Sequence, residues 1–274
     1  LEMAEKKPGW RQSLAKTFQP KAELPKRIYV GIAAAAFLLI LAAWLCASYV
    51  AGVSTMFLPT PTGTLEAGIN MFVSQGFLTD IRWSVQRVLI GFAVSVAVGV
   101  PLGVLIGTYA PVAAFLEPFF SFFRYLPASA FIQLFILWIG IDEAPKIAII
   151  IVGSLAQIIL MVATNVRNVE RELLEVSYTL GVGKQSVLWK IIVPKAMPDI
   201  VDTLRIVLGW AWTYIIVAEM IGASDGIGYT ITQAGRQFWV DRIFVCILTI
   251  GVIGLTLDML FIAFRRKVFA WNEK

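Results

Sequence analysis

Glu175-Val-Ser-Tyr-Thr-Leu-Gly181-Val-Gly-Lys184-Gln-Ser-Val-Leu-Trp-Lys-Ile-Ile-Val-Pro194 is a charged, evenly patterned loop set between long apolar runs. Just before and within it, Leu173, Val176, Ser177 and Leu180 recur at helical spacing, while Glu172, Glu175 and Thr179 take the other face. This pattern predicts a short amphipathic helix. Gly181 stands where a left-handed residue closes a helix, and Gly183 keeps the turn open. A second helix is expected from about Lys184, with Val187, Leu188, Ile191 and Ile192 as its apolar stripe. Pro194 is expected to stop or redirect it before the next apolar run. On patterning alone, the segment reads either as a docking element or as an interfacial helix pair lying on the membrane.

The flanking sequence defines the class. The 274 residues are 58% hydrophobic and 15% charged, with a mean hydropathy of +0.79, well beyond a soluble domain. An all-α integral membrane protein is expected. A helix needs about 20 apolar residues to cross the hydrocarbon core, and six runs approach or exceed that length: 28–50, 84–109, 126–141, 145–165, 197–221 and 242–265. The third is barely long enough, and only Gly140-Ile-Asp-Glu-Ala-Pro145 separates it from the fourth. A dip into the membrane is the alternative there, and it would change the parity of the topology.

Leu1-Glu2 ahead of Met3 reads as a cloning scar and is set aside. Residues 3–27 carry Lys6, Lys7, Arg11, Lys16, Lys21, Lys26 and Arg27, too long and basic a lead for a cleaved signal peptide. The run at 28–50 is therefore expected to be a retained anchor, behind a basic cytoplasmic segment at 1–27. With the N-terminus inside, the cytoplasmic pieces are 1–27, the 110–125 connection, 166–196 and the tail from 265, and they hold 17 of the 23 basic residues. Arg82, Arg87, Lys146, Arg236 and Arg242 fall in outer loops or at their edges, and Arg205 lies within the fifth span. This asymmetry places both termini and the patterned loop in the cytoplasm.

Several function classes drop out. The pI near 9.2 comes from basic residues beside membrane spans, where anionic lipid accounts for them better than nucleic acid does. Cys46 and Cys246 sit in apolar runs without ligand spacing and read as small buried hydrophobes. There is no histidine, the commonest general base and metal ligand, and no catalytic or metal site is expected. No Gly-x-x-x-x-Gly-Lys-Ser/Thr loop is present, so ATP is not expected to bind this chain by that route. Gly226-Ile-Gly-Tyr229 lacks the order of a potassium filter and reads as a turn by which the chain re-enters the membrane. What remains is a chain that moves or anchors something.

Glu175, Gly181 six residues on, then Ile191-x-Val193-Pro194 after nine more, resembles the EAA loop of permease subunits of bacterial ATP-binding-cassette importers. Its pattern is Glu-Ala-Ala-x3-Gly-x9-Ile-x-Leu-Pro. Glu, Gly, Ile and Pro match in identity and spacing, while Val176, Ser177 and Val193 replace Ala, Ala and Leu. Over residues 60–270, further stretches are similar to the nitrate/sulfonate/taurine/bicarbonate branch. They are Ser84-x-x-Arg87-Val-Leu-x-Gly91-Phe, Gly99-x-Pro101-Leu-Gly103, Arg124-Tyr-Leu-Pro127, Leu137-Trp138-x-Gly140-Ile-x-Glu143, Lys146-Ile, Gly209-Trp210-Ala211-Trp212, Ala218-Glu219 and Gly226-x-Gly228.

The resemblance implies a type I importer permease fold: about six transmembrane helices, a core at 60–270 and an EAA-type coupling loop at 170–194. It implies a bacterial inner-membrane location and contacts between Glu172, Glu175, Ser177, Gly181, Gly183, Lys184, Pro194 and a separate ATPase subunit. ATP and Mg2+ would act on that partner, and no cofactor on this chain. It further implies a second permease copy, an external solute-binding protein and a small anion such as nitrate, bicarbonate, a sulfonate or taurine as cargo. Six spans enclose little more than a gap, and no inverted repeat of the kind found in secondary carriers is visible. A stand-alone channel or secondary carrier is the alternative.

Charges within the spans are costly in lipid and mark the other candidates. Arg205 and Asp258 each lie about eight residues, roughly 12 Å of helix, from the cytoplasmic ends of the fifth and sixth runs. They read first as an ion pair and second as pathway lining. Glu219, near the outer end of the fifth run, suits an outer gate or a hydrogen bond to the adjacent outer loop. Trp210 and Trp212 lie too deep for an aromatic belt and point to different faces, one expected to pack and the other to line a pathway or dimer interface. Phe119, Phe120, Phe122, Phe123 and Tyr125 read as anchors of an elbow at the inner leaflet. Gly91, Gly99 and Gly103 are expected to allow close helix packing within the subunit.

Overall fold

The computed structural model describes residues 25–272, and no strand forms among them. The chain divides into two compact units, Leu1–Pro61 and Thr62–Lys274. In the first, helix α1 (Lys26–Leu45) is an apolar run without proline, and its end widens into a π turn at Cys46–Val50. The indole N–H of Trp44 donates to the Pro59 carbonyl at 2.9 Å, turning the following segment back along the helix end. Cys46 is exposed, contrary to its reading as a buried hydrophobe, whereas Cys246 is buried. The basic residues Lys6, Lys7, Arg11, Lys16 and Lys21 lie outside the described residues.

The second unit opens with α2 (Pro61–Ser74), α3 (Phe77–Thr108) and α4 (Ala110–Phe123). A 3-10 turn at Ala128–Phe131 leads into α5 (Ile132–Ile139), followed by α6 (Glu143–Arg167) and α7 (Arg171–Thr179). Next, α8 (Lys184–Val187) runs through a π turn at Leu188–Ile192 into α9 (Val193–Gly222). Helices α10 (Ile227–Arg236) and α11 (Val240–Val268) complete the unit.

Five stretches are long and apolar enough to cross a membrane: Arg27–Val50, Phe77–Thr108, Glu143–Arg167, Lys184–Gly222 and Val240–Val268. They contain five of the six expected spans almost entirely. The run at 126–141 is different, because its eight-residue α5 is too short to cross. It pairs instead with α4 across an 82° bend. Residues 110–125, expected to be a connection, are thus mostly helix. Pro127 makes the break: it brings no N–H, and its ψ of 121° turns the chain out of helix. Arg167 clamps Glu117 through two hydrogen bonds of 2.9 and 2.6 Å, tying α4 to α6.

Close approach of α3 and α6 builds the core. A Cβ on Gly91 or Gly99 would stand 2.8 Å from Ile150 or Ile158, and one on Gly103 would stand 2.7 Å from the Ile159 carbonyl oxygen. Small residues at four-residue spacing therefore let α6 present Ile150, Ile158 and Val162 fully buried. A Gly103→Leu chain is expected to lose about 3 kcal/mol, the upper range for overpacking, because backbone must move. Thermal melts in detergent would read this against Gly251→Leu, where a Cβ meets nothing within 4 Å and little change is expected.

Candidate functional site

The patterned loop folds as a helix, a tight turn and the foot of a long helix. At the end of α7, Val182 N–H bonds to the Ser177 carbonyl and Gly181 N–H to that of Tyr178, both at 3.0 Å. These are the two bonds of a Schellman cap. Gly181 supplies the left-handed conformation this requires, with φ of +76°. Gly183 is extended and caps α8, its carbonyl accepting from Val187 N–H at 3.0 Å. Glu170 and Lys195 face each other at 3.8 Å across the base of the loop.

The expected apolar face of α7 does not lie against the bundle. Ser177 is buried, its hydroxyl donating to the Leu173 carbonyl at 2.6 Å. Leu173, Val176, Tyr178 and Leu180 are exposed, next to exposed Glu172 and Glu175. Lys184 is exposed as well. Pro194 does not end the second helix. Lys184–Gly222 is one 39-residue rod that passes through Pro194 and Pro198. Val193 N–H reaches back five residues to the Leu188 carbonyl, so the helix widens just before the proline that withholds its N–H.

At the other end of the bundle, Arg87 is 1% exposed and gathers three carboxylates. It donates to Glu143 Oε1 at 2.7 Å, to Glu219 Oε1 at 2.7 Å and to Asp225 Oδ1. Glu219, also 1% exposed, accepts from Ser84 Oγ at 2.8 Å and from Gly228 N–H at 2.9 Å. Lys146 donates to Glu143 at 2.8 Å. The first amides of α10 are met in order: Gly226 N–H by Asp80, Ile227 N–H by Ser84 and Gly228 N–H by Glu219, each at 2.9 Å. Side chains from α3 and α9 thus satisfy donors that a helix N-terminus leaves open. Gly226 has φ of +105°, and a Cβ there would stand 2.5 Å from the Glu219 carboxylate.

Glu219 therefore bonds to the segment that follows its own helix. Arg87 is not a loop-edge cation but the centre of this hub, within α3. Its position inside an apolar run was the available signal. Asp80 and Asp225 join the hub without any marking in the sequence.

Deeper in the spans, Arg205 Nε donates to Asp258 Oδ1, joining α9 to α11. Arg265 Nε lies 3.1 Å from Asp202 Oδ2 on the same two helices. Trp212 is buried and Trp210 exposed, on different faces of α9. Among the described residues, no group of three His, Cys, Asp or Glu is placed to hold a metal ion.

Residues 99–270 match the family described as binding-protein-dependent transport system inner membrane component. A probable ABC transporter permease protein of Brucella abortus (strain 2308) is 36% identical over 79% of this chain and 87% of its own length. The aliphatic sulfonates transport permease protein SsuC of Bacillus subtilis (strain 168), a putative assignment by its name, is 30% identical over 85% of each chain. The taurine transport system permease protein TauC of Escherichia coli (strain K12) is 29% identical over 85% of this chain and 86% of its own. Among solved structures, a chain of the MetNI methionine ABC transporter in an inward-facing conformation superposes with a TM-score of 0.63. It is 19% identical, with 70% of this chain and 95% of that one covered, and so bears on the fold. The chain belongs to the binding-protein-dependent transport system inner membrane component family, as a multi-pass permease subunit of an ATP-driven importer.

Proposed function

We propose that two copies of this chain form the pathway, that α7 with its Gly181 turn docks a separate ATPase bearing ATP and Mg2+, and that an external binding protein delivers the solute. The observation that carries this reading is the exposed apolar edge of α7, Leu173, Val176, Tyr178 and Leu180, beside Glu172 and Glu175. An apolar helix face held off the bundle by a rigid cap suits an amphipathic helix seated in a partner's groove. The excess of Lys and Arg on the same side supports a cytoplasmic loop, cytoplasmic termini and contact with anionic lipid. The solute is a small oxyanion-bearing compound; the names of the taurine and sulfonate relatives support that class.

Co-purification with an ABC ATPase, and ATPase activity stimulated by the solute-loaded binding protein, test the reading. Stimulation lost in a Leu173→Glu, Leu180→Glu chain that still inserts would support it. Solute flux through the purified chain without any ATPase would overturn it in favour of a channel or secondary carrier.

A further inference from the structure

A cavity of about 150 Å³ lies between α9 and α11, lined by Arg205, Asp258, Trp212, Gly209 and Gly254. Neither the coupling loop nor the outer hub uses it. Trp212 is 5% exposed, and its indole N–H is buried without a hydrogen-bond partner among the described residues. The nitrogen has no accessible surface, so the ring of Trp212, and not its N–H, lines the cavity. The Arg205 guanidinium uses only Nε, on Asp258 Oδ1, and its terminal nitrogens donate to nothing among the described residues. Asp258 Oδ2 likewise accepts from none of them. The neighbouring Asp202 already faces Arg265.

Two further observations bear on the space. Gly209 and Gly254 line it, and a Cβ on either would meet nothing within 4 Å. In addition, the Arg205 and Asp258 side chains are each more than a third exposed within membrane-spanning helices. Charges so placed face water or protein, not acyl chains.

Donors, acceptor and volume together define the occupant. A volume of about 150 Å³ is that of a benzene-sized molecule, which corresponds to about six to eight non-hydrogen atoms. The lining carries one positive and one negative charge, so a simple anion would meet Asp258 unfavourably, and a simple cation Arg205. We propose that the cavity is an intramembrane station for a small zwitterion, whose acid oxygens accept from the terminal nitrogens of Arg205 while its ammonium rests on Asp258. The station rests on the importer reading for its role as a stop along the pathway.

Direct binding to the full chain in lipid nanodiscs, without ATPase or binding protein, tests it. The probes are taurine, ethanesulfonate, which lacks the ammonium, and ethylammonium, which lacks the acid. Taurine is expected to bind at least about ten-fold more tightly than either, the scale of one charge-assisted hydrogen bond. Arg205→Gln and the cavity-filling Gly254→Leu should each weaken taurine by about ten-fold or more. Asp258→Asn should bring taurine and ethanesulfonate level. Gly251→Leu, one turn away and with open space around it, should bind as wild type and shows that a bulkier α11 still folds.

Equal binding of taurine and ethanesulfonate to wild type would overturn the zwitterion. Absence of taurine binding, or taurine binding indifferent to Gly254→Leu and Arg205→Gln, would overturn the site. Affinity that falls as phosphatidylglycerol replaces phosphatidylcholine would assign the cavity to a lipid headgroup and overturn the proposal. A chain that binds taurine yet associates with no ATPase keeps the station and loses the importer reading. A chain that couples to an ATPase and binds no taurine loses the station alone.

Discussion

An Arg87→Gln chain is expected to lose about 3–5 kcal/mol of stability, the cost of breaking a buried ion pair by removing one partner. For a chain of this size, that is on the order of 10 °C in melting temperature. The guanidinium holds Glu143, Glu219 and Asp225 together, and only Lys146 would remain as a counter-charge, on Glu143. The loss falls mainly on Glu219, whose side chain is fully buried, since Glu143 and Asp225 can turn to water. Glu219→Gln should cost less, because the amide oxygen still accepts from Ser84 and Gly228. Converting Arg87 and Glu219 to Met together should cost less than the two single losses combined, as expected for directly coupled groups. Rescue stays partial, because Glu219 also accepts from Gly228 N–H in the first turn of α10, which methionine cannot do. Melts of the three variants in detergent decide the matter. A wild-type melting temperature for Arg87→Gln would remove the hub from any account of stability.

The second large effect is expected at Gly181, and it concerns coupling rather than folding. A Cβ there meets nothing within 4 Å, so packing tolerates any side chain. The φ of +76° does not, and a left-handed residue other than glycine costs about 1–2 kcal/mol. Gly181→Val should open the Schellman cap and let α7 swing, while the melting temperature moves by only a few degrees. Binding-protein-stimulated ATPase activity of the assembled importer should then fall by about ten-fold or more, since an interface loses that factor for each 1.4 kcal/mol. Gly181→Asn, which tolerates the left-handed region, should restore most of the activity. If Val and Asn behaved alike, turn geometry would not be what positions α7, and the docking role proposed for it would lose its structural basis. Glu175→Lys is a companion: the residue is exposed, so reduced ATPase association with an unchanged melt would place its role at the interface.

Local chemistry was legible and long-range chemistry was not. Gly181 announces its turn because a single residue after an apolar helix determines the cap. Arg205 and Asp258 were recognisable as partners because both are isolated charges at matched depth in antiparallel runs. Pro194 misled, because the rule that proline ends a helix holds for the regular hydrogen-bond ladder, and the π turn at Leu188–Ile192 alters that ladder beforehand. The run at 126–141 looked like a span by composition, but Pro127 and the brevity of α5 make it half of a bent pair. The Arg87 hub joins residues 56, 132 and 138 positions apart, and no local pattern marks such pairs. Its glycines at 226 and 228 were visible, but not the reason for them, which is a carboxylate and a carbonyl oxygen 2.5 Å from where each Cβ would stand.

The unbroken run from Lys184 to Gly222 gives the subunit a lever arm. Its 39 residues measure about 58 Å at 1.5 Å per residue, roughly twice the hydrocarbon thickness. The Gly181 turn sits at its foot, Arg205 lies near its middle, Trp212 lies between there and the head, and Glu219 stands at the head. A tilt of about 5° pivoted at the head would carry the foot about 5 Å, nearly one helical turn. The π turn and two prolines interrupt the regular hydrogen-bond ladder at the foot, whereas the head is held by the bonds of Glu219 to Arg87, Ser84 and Gly228. A load applied at the foot would therefore bend the rod there first and pivot it about the head.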